Sequence, residues 1–295
     1  MMRILVTGCH GQVGYCLTQQ LSAMADVEFL AVDREQLDIT NLTQVDLVVN
    51  EFKPNVIINA AAHTAVDRAE QEIELSYAIN RDGPQYLAQA ANRVGALILH
   101  ISTDYVFAGD KLCAYVETDP TSPQGVYGQS KLAGEIAVAQ ACSRHIILRT
   151  AWVFGEHGNN FVKTMLRLAE IRDTLGVVAD QFGGPTYAGD IAKALITMAK
   201  AIVEGKSVAF GVYHFSGVPH LSWHKFACTI FDNAREQALL SKTLQVNAIT
   251  TKDYPTPAKR PSNSRLDSRK IHQNFGIAAS DWQAALLHLV DYTSE

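Results

Sequence analysis

Residues 3–14 read RILVTGCHGQVG, an apolar run that ends in glycines at positions 8, 11 and 14. The stretch RILVT (3–7) lacks polar alternation, as expected of a strand buried on both faces of a parallel sheet. Gly8, Gly11 and Gly14 give a GxxGxxG spacing, which lets the backbone turn tightly, approach a pyrophosphate and open a helix whose N-terminus favours an anion. Glycines alone are a weak signal, and the context strengthens this one. A helical pattern follows to about Met24, then a second apolar run, VEFLAV (27–32), then Asp33. An acid about 20 residues beyond the turn is placed to bond ribose hydroxyls. His10, Gln12 and Val13 complete the turn that would hold the dinucleotide. Arg34 fits the extra phosphate of NADP as well as Asp33 fits the ribose of NAD, so NADPH and NADH both stay open. Asp38 and Ile39 are placed for the adenine.

The same alternation continues outward. VIINAA (56–61), ALILHIST (96–103) and HIILRT (145–150) are further buried-strand runs, separated by amphipathic segments such as 76–94 and 127–142. Repeated strand–helix order predicts a Rossmann-type, doubly wound parallel α/β sheet. Beyond residue 150 the pattern loosens. Helices are expected over 160–172, 189–203 and 222–237, with strands at 175–179 and 211–217. The Pro- and Ser-rich stretch YPTPAKRPSNSRLD (254–267) reads as a loop. The expected division is a dinucleotide-binding domain over 1–155, to which later segments return, and a smaller substrate-binding C-terminal lobe over 156–295.

Composition sets the class. The 295 residues are 47% hydrophobic and 19% charged with a formal net charge of −5, an ordinary globular balance without the basic footprint of a nucleic-acid binder. No run reaches the roughly 20 apolar residues of a membrane span. The N-terminus resembles a first strand more than an export signal. Five cysteines form no CxxC pair, which points to reduced thiols in a cytoplasmic protein.

The chemistry gathers near the fourth strand. It ends in Ser102-Thr103-Asp104-Tyr105, where a hydroxyl could bond a substrate carbonyl beside a nicotinamide. Side chains alternate along a strand, so only one of Ser102 and Thr103 is expected to reach the site, and spacing does not choose between them. In GVYGQSKLAGE (125–135), Tyr127 and Lys131 stand four apart, on one face of a helix. A cation near a phenol favours the phenolate, so Tyr127 could serve as the proton donor while Lys131 tunes it and holds a ribose. Arg260 and Arg265 offer donors for a diphosphate.

Together these stretches, with INAAAHTAVDRAE, HISTDYVFAGD, LRTAWVFGEHGNNFVKTMLRLA and DQFGGPT, resemble the extended short-chain dehydrogenase/reductase family over nearly the whole chain. Within it they are similar to the branch that reduces dTDP-4-dehydro-β-L-rhamnose to dTDP-β-L-rhamnose. The resemblance implies an NAD(P)H-dependent reductase and selects Thr103 over Ser102. It also implies that Ala60, Ala61, His63 and Thr64 lie along the cofactor, and that Val66, Asp104, Tyr105 and Trp152 surround the sugar. The related 4,6-dehydratases carry Asp-Glu after the threonine; here Asp104 is followed by Tyr105, which disfavours water elimination. Some members of the family dimerise through magnesium held by glutamates. Cys16 stands where such a glutamate would be, so magnesium is not expected and either a monomer or a homodimer is.

His220 and His224 have the HxxxH spacing of a helical metal pair, but no third ligand accompanies them. Two alternatives share much of the motif set: an NAD-dependent nucleotide-sugar 4-epimerase, and a non-catalytic regulatory subunit of methionine adenosyltransferase. The intact Thr103, Tyr127 and Lys131 argue against the latter.

Overall fold

The computed structural model describes residues 1–293. Strand β1 (Met2–Thr7) leads through the glycine turn into α1 (Gln12–Ser22), followed by β2 (Val27–Val32), α2 (Leu42–Phe52) and β3 (Val56–Asn59). Next come α3 (Gly83–Val94), β4 (Leu97–Thr103), α4 (Val126–Ala141) and β5 (His145–Thr150). Helices α5 (Phe161–Ile171) and α6 (Ala188–Val203), strand β6 (Gly211–His214) and helix α7 (Trp223–Glu236) complete the main elements. The six strands form one sheet in the order β2-β1-β3-β4-β5-β6, and every neighbouring pair is parallel. The order reverses between β1 and β3, and ligands of open α/β sheets bind at such a switch, outside the carboxyl ends of the strands.

The unalternating strand sequences follow from burial on both faces. Ile4, Val6, Val56, Ile58, Leu97 and Leu99 point toward α1 and α6, whereas Leu5, Ile57 and Ile98 point toward α2, α3 and α4. A second core belongs to the later residues. Val162, Met165 and Leu166 of α5 pack with Phe226, Ala227 and Ile230 of α7 and with Trp282, Leu286 and Tyr292. Each fully buried side chain of this size stabilises the lobe by about 1.5–3 kcal/mol.

The five strands of the first half and helices α4 to α7 fall within one residue of their expected ends, except that β3 stops at Asn59, two short of 61; β6 stops at His214, three short of the expected 217. Two segments differ more. The expected continuous helix over 76–94 is instead Ile73–Tyr77, a π-helical turn at Ala78–Asp82 and then α3, with Pro84 in the first turn of α3. Helix α2 was not foreseen, although Asn41 caps it by accepting from the Gln44 amide. Residues 254–267 are mainly loop, with Asn263–Ser264 pairing beside Phe182–Gly183. Cys9, Cys16, Cys113, Cys142 and Cys228 are all unpaired. Among the described residues no helix is long and apolar enough to cross a membrane.

Candidate active site

The glycine turn is built by close backbone approach. Gly8 has φ +74°, and a Cβ on it would stand 2.6 Å from the Ala61 amide nitrogen. A Cβ on Gly14 would lie 2.0 Å from the Gly8 carbonyl oxygen, so the first turn of α1 can pack this tightly only with glycine there. Gly11 precedes α1 without a capping side chain, and no acid occupies the first turn. The first N–H groups of the helix therefore remain for an anion. They open on a cleft of about 610 Å³ lined by His10, Gly11, Gln12, Val13, Ala60, Ala61, Thr64 and Val66 on one side. Ser102, Thr103, Asp104, Tyr105, Tyr127, Lys131 and Trp152 line the other. The uncapped helix start and the glycine cradle fit a dinucleotide pyrophosphate.

Asp33 stands at the end of β2, beside the turn, where the Gly8 amide donates to the Val32 carbonyl. Its Oδ1 accepts from the amides of Glu35 and Gln36, each at 2.9 Å, and His10 Nε2 lies 3.1 Å from its Oδ2. The Gln36 amide in particular holds its carboxyl below the usual range. Asp38 is turned toward its own loop, accepting from the Thr40 amide and hydroxyl. Ile39, expected at the adenine, instead packs into the core, where a Cβ on Gly83 would meet its Cδ1 at 2.6 Å. Its sequence position beside Asp38 concealed this, because only the fold reveals which neighbour faces inward. His63 does not line the cleft. Its Nδ1 meets Ser76 Oγ at 3.0 Å and its Nε2 meets Glu72 Oε2 at 3.0 Å.

At the end of β4, Thr103 and Tyr127 meet. The Thr103 hydroxyl donates to Asp104 Oδ1 at 3.1 Å, accepts from the Tyr105 amide at 3.2 Å, and favours ionisation of the Tyr127 phenol. Burial outweighs that effect and holds the phenol well above its ordinary pKa, so Tyr127 carries its proton at neutral pH. Burial likewise pushes Asp104 up to about 6, against the hydroxyls of Ser264 and Thr103. Lys131 is 2% exposed, and its ammonium donates to the Ile101 carbonyl at 2.7 Å. Burial lowers it to about 8, with Glu135 opposing. Desolvation of the phenol, not the expected lowering by Lys131, sets the direction of the Tyr127 shift. Ser102 lines the cleft too, and its Oγ, like Thr150 Oγ1, is buried without a partner. Both residues of the Ser102-Thr103 pair thus border the cleft.

Trp152 and Tyr105 also line an adjoining cavity of about 450 Å³, walled by Phe161, Val178, Gln181, Trp223, Tyr254 and Arg260. Trp152 is held at φ +50° and stacks on Trp223 with centroids 3.5 Å apart. Strained backbone of this kind persists where packing over-determines it, often at ligand sites. Arg260 donates to Asp67 Oδ2 at 2.6 Å, and its Nη1 is buried without a partner. Arg265 lines neither cavity. Its guanidinium is occupied by Asn263 Oδ1 at 2.7 Å and the Leu112 carbonyl at 2.7 Å, so the two arginines do not converge as expected.

Several residues that shape the site gave no signal of their own. Thr7, Asn59 and His100 stand in register across β1, β3 and β4. Thr7 Oγ1 donates to Asn59 Oδ1 at 2.7 Å, and the Asn59 amide meets His100 Nδ1 at 3.0 Å. Asn80, in the π-helical turn, accepts from the His63 amide at 2.8 Å and donates to Ser130 Oγ at 3.0 Å, tying the 60–64 loop to α4. π-Bulges often mark such sites. Glu70 accepts from the Val126 amide at 2.9 Å and so fixes the start of α4, one residue before Tyr127. Trp223 lies inside the HxxxH stretch. His220 precedes the cap Ser222, so the two histidines do not share a helix face. Cys16 faces the core from α1, and burial pushes its thiol up to about 12. Among the described residues no group of three or more His, Cys, Asp or Glu is arranged to hold a metal ion.

Glycine turn and parallel sheet give the Rossmann-type fold of the extended short-chain dehydrogenase/reductase class. The model of the RmlD substrate binding domain family matches residues 2–294, and the chain belongs to that family. It is 56% identical to a dTDP-4-dehydrorhamnose reductase of Aggregatibacter actinomycetemcomitans over 99% of each chain. A crystal structure of a dTDP-4-dehydrorhamnose reductase from Clostridium acetobutylicum superposes with a TM-score of 0.90 at 41% identity, covering 98% of this chain and 99% of that one. A Bacillus anthracis dTDP-4-dehydrorhamnose reductase, solved in complex with NADP, gives a TM-score of 0.90 at 37% identity over 99% and 100% of the two chains.

Proposed function

We propose that the protein is an NADPH-dependent oxidoreductase that reduces dTDP-4-dehydro-β-L-rhamnose to dTDP-β-L-rhamnose. The observation that carries this reading is the single cleft in which the glycine turn, Thr103, Tyr127 and Lys131 converge. When bound, the reduced nicotinamide supplies the hydride for the carbonyl carbon. Gly11, Gln12 and Val13 would hold the pyrophosphate, and Arg34 the 2′-phosphate that distinguishes NADPH. Tyr127, protonated at working pH, donates its proton to the sugar O4. The Thr103 hydroxyl orients the same oxygen and then stabilises the phenolate left behind. Lys131 offers its ammonium to the nicotinamide ribose and adds positive charge near the phenolate.

The sugar would lie against Val66, Asp104, Tyr105 and Trp152, at the junction of the two cavities. Arg260 supplies a charged donor for the diphosphate, and the aromatic cavity beyond it suits thymine. Substrate recognition would then be shared between the first 155 residues, which carry Val66, Asp104, Tyr105 and Trp152, and the smaller lobe over 156–295, which carries Phe161, Trp223 and Arg260. The test is to mix protein, dTDP-4-dehydrorhamnose and NADPH and follow absorbance at 340 nm. Loss of one NADPH per dTDP-rhamnose formed is expected. Interconversion of dTDP-sugars without NADPH loss would identify an epimerase, and binding without turnover a regulatory relative.

A further inference from the structure

Helix α4 carries three buried functional side chains on successive turns of one face: Tyr127, Lys131 and Glu135. The first two border the cleft; Glu135 does not, although it is only 3% exposed. Its carboxylate is gripped from β5 by Arg149, with Nε at 2.8 Å and Nη2 at 2.6 Å. The guanidinium lies 5.0 Å from the Phe107 ring centroid. An ion pair at this depth is a poor device for stability alone, because an apolar pair of similar volume often does as well or better. One helical turn from Glu135, however, is an ammonium that needs a counter-charge.

We propose that Glu135, fixed by Arg149, is a positioning residue for Lys131, keeping that buried ammonium charged and directed at the cleft. The proposal rests on the reading of Lys131 given above. The groups around Lys131 can be named element by element. From β4 come the Ile101 carbonyl, which accepts a hydrogen bond from it, and His100, which burial and Lys131 itself keep neutral. From α4 come Tyr127, protonated, and Glu135. Arg149, from β5, is already committed to Glu135. With His100 and Tyr127 uncharged, Glu135 provides the negative charge of this set. Arg149 serves Lys131 indirectly, holding the carboxylate in place with two hydrogen bonds.

The test follows Lys131 directly, by NMR titration of lysine side chains in the cofactor-free full chain, with Lys131→Met to assign the signal. The wild-type midpoint is expected at about 8. In Glu135→Gln it should fall by about one pH unit, the ordinary effect of losing an opposite charge nearby. Glu135→Asp should restore it toward wild type. Because Glu135→Gln leaves Arg149 buried and unpaired, the double variant Glu135→Gln/Arg149→Met provides a folded control, and its midpoint should stay low. The basic limb of kcat/KM should move with the midpoint in each variant. A lowered melting temperature with an unmoved midpoint and limb would show that the pair is merely structural and overturn the proposal. A Lys131→Met variant as active as wild type would instead overturn the underlying reading of Lys131, and the proposal with it.

Discussion

Replacing Lys131 by methionine should abolish turnover without destabilising the protein. Lys131 is 2% exposed, and burial brings its pKa from 10.5 to about 8. At about 1.4 kcal/mol for each pH unit, the charged side chain costs the fold about 3 kcal/mol at pH 7. The sign follows from proton counts. Between about 8 and 10.5 the unfolded chain holds the proton and the folded one does not, so this contribution makes stability rise with pH through that window. Below it the whole penalty is present. Methionine fills a similar space without charge but leaves the Ile101 carbonyl without its donor, a loss of about 1–3 kcal/mol. The net expectation at pH 7 runs from no change to a gain of about 2 kcal/mol, or several degrees in Tm at ~2–4 °C per kcal/mol. At pH 10.5 and above the gain should disappear. Thermal melts at both pH values, with turnover measured alongside, provide the assay. A variant more than about 2 kcal/mol less stable at pH 7 would refute the claim that the buried ammonium is held at a cost for function.

Tyr127→Phe should reduce kcat by about 10²–10⁴ while NADPH affinity, read by fluorescence titration, stays within a few-fold, because only the proton donor is lost. Gly14→Ala should abolish NADPH binding, since its Cβ would stand 2.0 Å from the Gly8 carbonyl oxygen; isothermal titration should find no saturable binding. Trp223→Ala removes the ring that stacks on Trp152 and should raise KM for the dTDP-sugar about tenfold with little change in KM for NADPH.

The parallel sheet was legible because RILVT, VIINAA and HIILRT lack alternation, and burial on both faces is what such runs record. The glycine turn was legible for a similar reason: Gly8 and Gly14 occupy positions where a Cβ collides with backbone. Residues whose roles depend on elements far apart in sequence were not. Ile39 looked like a ligand contact and is a core residue; Trp223 carried no signal in the sequence and stacks on Trp152. Arg260 and Arg265 are equivalent in a string of letters, yet Asp67 draws one to the aromatic-walled cavity while Asn263 and the Leu112 carbonyl hold the other away. Lys131 was expected to lower the Tyr127 pKa, but spacing along a helix carries no information about desolvation, which dominates both groups.

The most direct measurement uses NADPH carrying deuterium at both C4 positions and follows the label into the product of dTDP-4-dehydrorhamnose by NMR. Hydride delivery to the carbonyl that Tyr127 protonates predicts one deuterium at C4 of dTDP-rhamnose, with product formation collapsing in Tyr127→Phe. Product without deuterium at C4, or labelled product formed at the wild-type rate by Tyr127→Phe, would contradict it.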